Sequence, residues 1–180
     1  MAVKPSRPRM PRPPLDAEAL ERSAIHYAGR YATTRAKLAF YLRRKLRERG
    51  WEGSGEPPVD SLVERMTRLG YIDDRAFATA RAASLGRRGY GEQRIGAAIR
   101  AAGVNEDDAS DAREMARDNA WTAALRFAER RRIGPFAPAE AARPEREKAI
   151  AAMLRAGHSL DLSRRIAAAR PGEIPEADNG

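Results

Sequence analysis

Apolar residues recur along most of this chain at spacings of three and four, the period of helices laid against a core. In residues 34–49, Leu38, Leu42 and Leu46 repeat every fourth position, with Tyr41 beside them. Leu62, Met66 and Leu69 form a second stripe with Val63 alongside, and Gly70 is placed to end that helix. Asp73 predicts the N-cap of a helix that carries Phe77 and Leu85 and stops near Gly86. Ile95 and Ile99 mark another, closed by Gly103, and residues 107–132 contain neither Gly nor Pro, which predicts two nearly continuous helices. Pro144 suits a helix start, with Ile150, Met153 and Leu154 as that helix's apolar face. A last helix, near residues 159–169, carries Leu160, Leu162 and Ile166. β-branched residues are few, Ala supplies 36 of 180 residues, and alternating runs are absent, so the pattern predicts an all-α fold of about nine helices. Residues 52–58, with Gly53, Gly55, Pro57 and Pro58, read as a loop.

The helices also repeat. An aromatic–Ala pair occurs at Tyr27-Ala28, Phe77-Ala78 and Phe127-Ala128, and a helix-ending glycine follows each, at Gly50, Gly103 and Gly157. Four residues before each glycine stands an apolar anchor, Leu46, Ile99 or Met153. The expected organisation is three tandem three-helix repeats, residues 15–72, 73–120 and 121–170, stacked as an elongated array. They lie between a basic, Pro-rich flexible arm (residues 1–14) and a frayed acidic tail (171–180). The simpler alternative is one irregular bundle whose spacing is coincidental.

Charge changes the picture of the surface. Thirty Arg and only four Lys oppose 25 acidic residues, for a formal charge of +9. Arg presents a planar fork that matches phosphates and carboxylates, so anionic partners are expected, although a GC-rich genome also favours Arg. The charge is uneven: residues 73–120 carry 8 basic and 9 acidic side chains, residues 121–170 carry 11 and 5. Cys is absent, which excludes disulfides, thiol nucleophiles, Fe–S clusters and Cys-ligated zinc. With His26 and His158 the only histidines, a histidine metal site is not expected either. No apolar run approaches the roughly 18 residues of a membrane span, so no membrane association is expected.

Candidate chemistry therefore rests on arginine. Around the helix of residues 34–49, Lys37, Arg43, Arg44 and Arg47 fall opposite the leucine stripe, with Phe40 among them. Such a face can neutralise phosphates and stack on a base. A solvated helix surface, with Phe40 packed on a neighbouring helix, is the simpler reading of Phe40. Arg87-Arg88, Arg130-Arg131-Arg132 and Arg164-Arg165 lie near helix ends, where the helix dipole favours cations in any case. Gly89-Tyr90-Gly91 beside Arg87-Arg88 resembles a phosphate-approaching turn, but a plain inter-helix loop is the simpler reading of two glycines. Asp73-Asp74 is accounted for by capping, and Glu106, Asp107 and Asp108 open a helix. A nuclease built on that acidic run would need carboxylates converging from separate elements. Neither histidine has an acid–base partner pattern, no GxxxxGK[ST], GxSxG or HExxH motif is present, and no enzyme is expected.

Three stretches together resemble the RecX regulatory proteins: Arg35-Ala36-Lys37-Leu38 through Leu42-Arg43-Arg44-Lys45-Leu46-Arg47-Glu48-Arg49-Gly50; Leu69-Gly70-Tyr71-Ile72-Asp73-Asp74-Arg75-Ala76-Phe77-Ala78; and Arg88-Gly89-Tyr90-Gly91 with Arg94-Ile95, Ile99 and Ala102-Gly103-Val104. Arg130-Arg131-Arg132-Ile133-Gly134-Pro135-Phe136 is similar to the third-unit segment of proteobacterial members. The resemblance covers about residues 20–170 and implies a curved, elongated array of three-helix units. It implies a cytoplasmic, cofactor-free regulator that binds the RecA filament and usually suppresses its ATPase, strand-exchange and coprotease activities. DNA repair, homologous recombination and the SOS response are the processes implied. The family has no short binding motif, so the expected contacts to RecA or to single-stranded or duplex DNA are this chain's own basic positions. These are Lys37, Arg43, Arg44, Arg47, Arg87, Arg88, Arg94, Arg130, Arg131 and Arg132, on a protein expected to be a monomer. The rival reading is a helix-turn-helix-like transcription or nucleoid factor. The loop at residues 52–58 is longer than the family pattern leads one to expect.

Overall fold

A computed structural model describes residues 13–177; most of the basic arm and the last three residues of the acidic tail lie outside them. The described residues form nine α-helices and one short 3-10 turn, with no strand among them, so the fold is all-α. The chain divides into two compact units, one ending at Asp73 and the other beginning at Asp74.

The first unit holds α1 (Ala17–Arg30), α2 (Arg35–Arg49) and α3 (Val59–Arg68). Asp16 caps α1 by accepting from the Ala19 amide at 2.7 Å, and the Thr34 hydroxyl caps α2 by accepting from Lys37. Leu20, Leu38, Leu42, Val63 and Met66 gather in one core with Leu15 and Ile72. Each such side chain contributes about 1.5–3 kcal/mol on full burial. Residues 50–58 are a loop, anchored at its start: the Leu15 amide donates to the Gly50 carbonyl and the Glu52 amide to the Leu15 carbonyl, 3.0 and 2.9 Å. Trp51 packs on the core, and its indole N–H closes the loop by donating to the Gly55 carbonyl at 3.0 Å.

The second unit holds α4 (Asp74–Arg87), α5 (Glu92–Ala101), α6 (Glu106–Asp118), α7 (Ala120–Arg131), the 3-10 turn Gly134–Phe136, α8 (Arg143–Arg155) and α9 (Leu160–Ala168). Only Asn119 separates α6 from α7. Asn105 caps α6 and Ser159 caps α9. Two cores share this unit. One is small-residue packing of α4, α5 and α6 around Ile95, Ile99 and a run of alanines; the other gathers α7, α8 and α9 around Phe127, Met153 and Ile166. Tyr90 packs against both. Buried alanines let α4 and α6 approach closely, which is why so few large side chains fill that core.

Three expected core positions are exposed: Leu69, Leu154 and Leu160. Leu69 follows the last helical residue of α3, where the chain turns back at Gly70, and Leu160 is the first residue of α9. Leu154 stands about 100° round the helix from the fully buried Met153 and so leaves the stripe. Leu46 is half-buried rather than enclosed. Gly50, Gly103 and Gly157 all adopt positive φ, after α2, α5 and α8. The three aromatic–Ala pairs sit at different points of their helices: late in α1, in the first turn of α4, and past the middle of α7.

Candidate anionic-ligand interface

In the first unit, α2 separates its two faces cleanly. Leu38 and Leu42 are buried, whereas Lys37, Arg43, Arg44 and Arg47 are exposed. Phe40 is 63% exposed in the middle of this basic face. It does not pack on a neighbouring helix, and that simpler expectation is corrected. Arg43 pairs with Asp60 at 2.7 Å and Arg44 with Glu48 at 3.5 Å, both within the unit. Both pairs are exposed and therefore weak, so an anionic ligand can displace them. At the edge of the face Tyr41 stacks on Tyr27, ring centroids 4.2 Å apart. Burial raises the Tyr41 pKa, and the neighbouring Arg44 partly offsets this.

The second unit gathers its arginines more tightly. The α4–α5 turn, α5, α7 and α8 enclose a cavity of about 550 Å³ lined by Arg88, Tyr90, Arg94, Phe127, Arg130, Arg131, Ala152, Arg155 and Ala156. Five arginines line one space, and no acidic residue is in its lining. Among the described residues none of the five makes a carboxylate ion pair.

The walls of this cup follow from helix ends. Arg130 donates to the Arg88 carbonyl, just past the end of α4, and Arg94 donates to the Arg155 carbonyl at the end of α8, 3.3 Å. Cations are favoured at such carbonyl-rich termini. A guanidinium has five N–H donors, so each of these two keeps most of its donors for a ligand. Arg94 and Arg88 lie over the Tyr90 ring at 4.5 and 5.4 Å, and Arg131 over Phe127 at 5.8 Å. The aromatic rings orient the cations.

Beneath the cup the two turns that carry it are locked together. The Gly91 amide donates to the Ala156 carbonyl at 2.9 Å and the Gln93 amide to the Gly157 carbonyl at 3.1 Å. His158 is 1% exposed, tilted against Phe127, and its Nε2 donates to the Gly89 carbonyl. Burial pushes the His158 pKa down, and the Gly89 bond offsets this only in part.

Of the ten expected contact residues, the structure brings Arg88, Arg94, Arg130 and Arg131 into one cavity. Arg87 turns instead to a smaller, mostly apolar cavity of about 210 Å³ among α4, α5, α6 and α7. Arg132, at φ 54, caps α7 in the left-handed region and lines a third hollow with Ile133 and Lys148. Of the lining arginines, Arg155 is the one the sequence reading does not name, and Tyr90 enters that reading only through its turn. Arg155 shares the one available signal, an arginine at a helix end beside a glycine turn.

Fold and surface together define an all-helical protein with clustered arginines. No family model matches the sequence. The chain is 31% identical to the regulatory protein RecX of Myxococcus xanthus over 178 residues, covering 93% of this chain and 91% of that protein. It is 29% identical over 153 residues to the regulatory protein RecX of Halorhodospira halophila, 85% and 89% of the two chains. The crystal structure of RecX from Lactobacillus salivarius matches its fold with a TM-score of 0.60 at 18% identity, covering 83% of this chain and 93% of that one. The chain belongs to the RecX family of regulatory proteins.

Proposed function

We propose that this protein is a non-catalytic, cytoplasmic regulator that binds the RecA filament on DNA and inhibits its ATPase, strand-exchange and coprotease activities. The observation that carries the reading is the similarity to a RecX protein along 93% of the chain. The surface supports it physically. Lys37, Arg43, Arg44 and Arg47 around the open Phe40 ring suit a strand whose phosphates and bases are both accessible. Arg87, Arg88, Arg94, Arg130, Arg131 and Arg132 supply further cationic contacts in the second unit. Three tandem three-helix units, each with a cationic surface, would engage successive RecA subunits through several weak contacts in parallel, gaining avidity as a monomer without a deep protein-binding pocket.

The test is RecA-catalysed ATP hydrolysis on single-stranded DNA while this protein is titrated in. Inhibition well below one molecule per RecA indicates capping or disassembly; inhibition only near saturation indicates occupancy along the filament. No effect at any ratio, with duplex DNA retarded in a gel by the same preparation, transfers the case to a free DNA-binding factor. Such a factor would show a steep salt dependence without RecA.

A further inference from the structure

The five-arginine cup is more concentrated than a strand contact needs. Arg88, Arg94, Arg130, Arg131 and Arg155 share about 550 Å³ without a carboxylate partner among the described residues. Like charges held this close repel one another, and a multivalent anion relieves that repulsion. We propose that the cup is a binding site for a compact polyphosphate, either inorganic or the di- or triphosphate of a nucleotide.

Two features favour phosphate recognition over base recognition. A nucleic-acid strand carries one charge per nucleotide and separates its phosphates by whole sugars, whereas a triphosphate brings several charges on adjacent phosphoryl groups. Secondly, the cup's aromatic rings are already covered. Arg94 and Arg88 lie over Tyr90, Arg131 lies over Phe127, and His158 packs against Phe127 as well. Phe127 is buried and Tyr90 only partly exposed beneath two guanidinium groups, in contrast to the open Phe40 on α2. Arginine forks suit bidentate contacts to phosphoryl oxygens, and Tyr90 holds two of them in place. The site therefore reads phosphate, and inorganic triphosphate is sufficient to fill it. Four of these arginines also belong to the set assigned above to the filament, so a polyphosphate in the cup competes with that contact. This corollary rests on the filament reading; the site itself does not.

The experiment is calorimetric titration of the full chain with magnesium-free sodium triphosphate, without RecA. Saturable one-to-one binding is expected. The variant Arg131→Ala with Arg155→Ala should bind about tenfold more weakly or worse, since hydrogen bonds to charged groups are individually strong. Among the described residues, neither side chain donates a hydrogen bond to the rest of the fold. Arg131→Lys with Arg155→Lys, which keeps the charge and loses the fork, should fall between the two. The control Arg22→Ala with Arg143→Ala removes the same charge from exposed pairs and should change affinity by less than about twofold. A parallel titration with an oligothymidylate separates the sources of phosphate. Absence of saturable heat at millimolar triphosphate overturns the proposal. Equal weakening in the control overturns it as well, by reducing the effect to net charge. Tighter oligothymidylate binding that depends on Arg131 and Arg155 at the same ionic strength overturns it in favour of a strand site. A failed triphosphate titration does not decide RecA inhibition, and a failure of RecA inhibition leaves this titration unaffected.

Discussion

His158 Nε2 lies 3.1 Å from the carbonyl oxygen of Gly89, a bond that spans 69 positions of the chain. It joins the turn after α8 to the turn after α4, directly beneath the arginine cup. The imidazole is buried, bonded through one nitrogen, and without a hydrogen-bond partner at Nδ1 among the described residues. A neutral ring with its proton on Nε2 satisfies this geometry. The charged ring would place a second proton where nothing accepts it.

Stability should therefore depend on pH through His158. Its pKa in the fold is depressed below the ordinary value of 6.5, so the unfolded chain binds the proton more tightly. The stabilisation is fully present above about pH 6.5 and declines as pH falls from there toward the depressed folded value. Urea unfolding at pH 7.5 and pH 5.5 should show a lower midpoint at the acid end. His158→Gln, which keeps an N–H donor and cannot titrate, should lose that difference. An equal acid loss in the variant would assign the effect to other groups.

The same joint makes Gly91 irreplaceable for a steric reason. Gly91 has an ordinary φ of −80, which any residue can adopt. A Cβ there would nevertheless fall closer than 3.0 Å to the carbonyl of Gly157 and the amide of His158, which are backbone and cannot swing aside. Gly91→Ala should cost about 3 kcal/mol or more. Gly86, within α4, has nothing within 4 Å of the Cβ position, so Gly86→Ala should stabilise by about 0.5–1 kcal/mol. Thermal melts of the two variants, moving in opposite directions from the parent, check both statements.

This contrast shows what the sequence could and could not disclose. Helices were legible because Leu38, Leu42, Ile95, Ile99 and Met153 keep helical spacing and because caps and glycines bound them. The basic residues were legible as local runs. Their convergence was not, since Arg88 and Arg155 are brought together by long-range bonds such as Gly91–Ala156, Gln93–Gly157 and His158–Gly89, and such pairing leaves no periodic trace. His158 likewise reads as a turn residue until Phe127 and Gly89 are brought against it. Exposure at helix ends misled the pattern at Leu69 and Leu160, where apolar spacing continues past the residues that the core covers.

Burial along α2 grades the cost of truncation. Leu42 is fully buried, so Leu42→Ala should lose about 2–5 kcal/mol, combining transfer and cavity terms. Leu46 lies on the same stripe but is only half-buried against the core, and Leu46→Ala should cost distinctly less. Denaturant midpoints provide the measurement. A surface-like loss below about 0.5 kcal/mol at Leu42 would mean that the helix is phased differently.

The opposite face of α2 should separate function from folding. Arg43, Arg44 and Arg47 are exposed, and the pairs to Asp60 and Glu48 are solvent-screened, so replacing all three with Ala should change stability by no more than about 1–2 kcal/mol in total. The same variant should require more protein for half-inhibition of RecA ATP hydrolysis. Its binding to single-stranded DNA should also depend less steeply on salt, because every phosphate that the protein no longer neutralises lowers the slope by about 0.7. Phe40→Ala divides the charge term from the stacking term. The exposed ring contributes little to the core, so the fold should keep its melting temperature, while strand affinity falls by about 1–3 kcal/mol with the salt slope unchanged. The decisive comparison is the pair of salt titrations. A flattened slope in the arginine variant beside an unaltered slope and weakened binding in Phe40→Ala places phosphate and base on this one face. Parental affinity and inhibition in both variants would make α2 a solvated surface and leave the second unit to carry the contact.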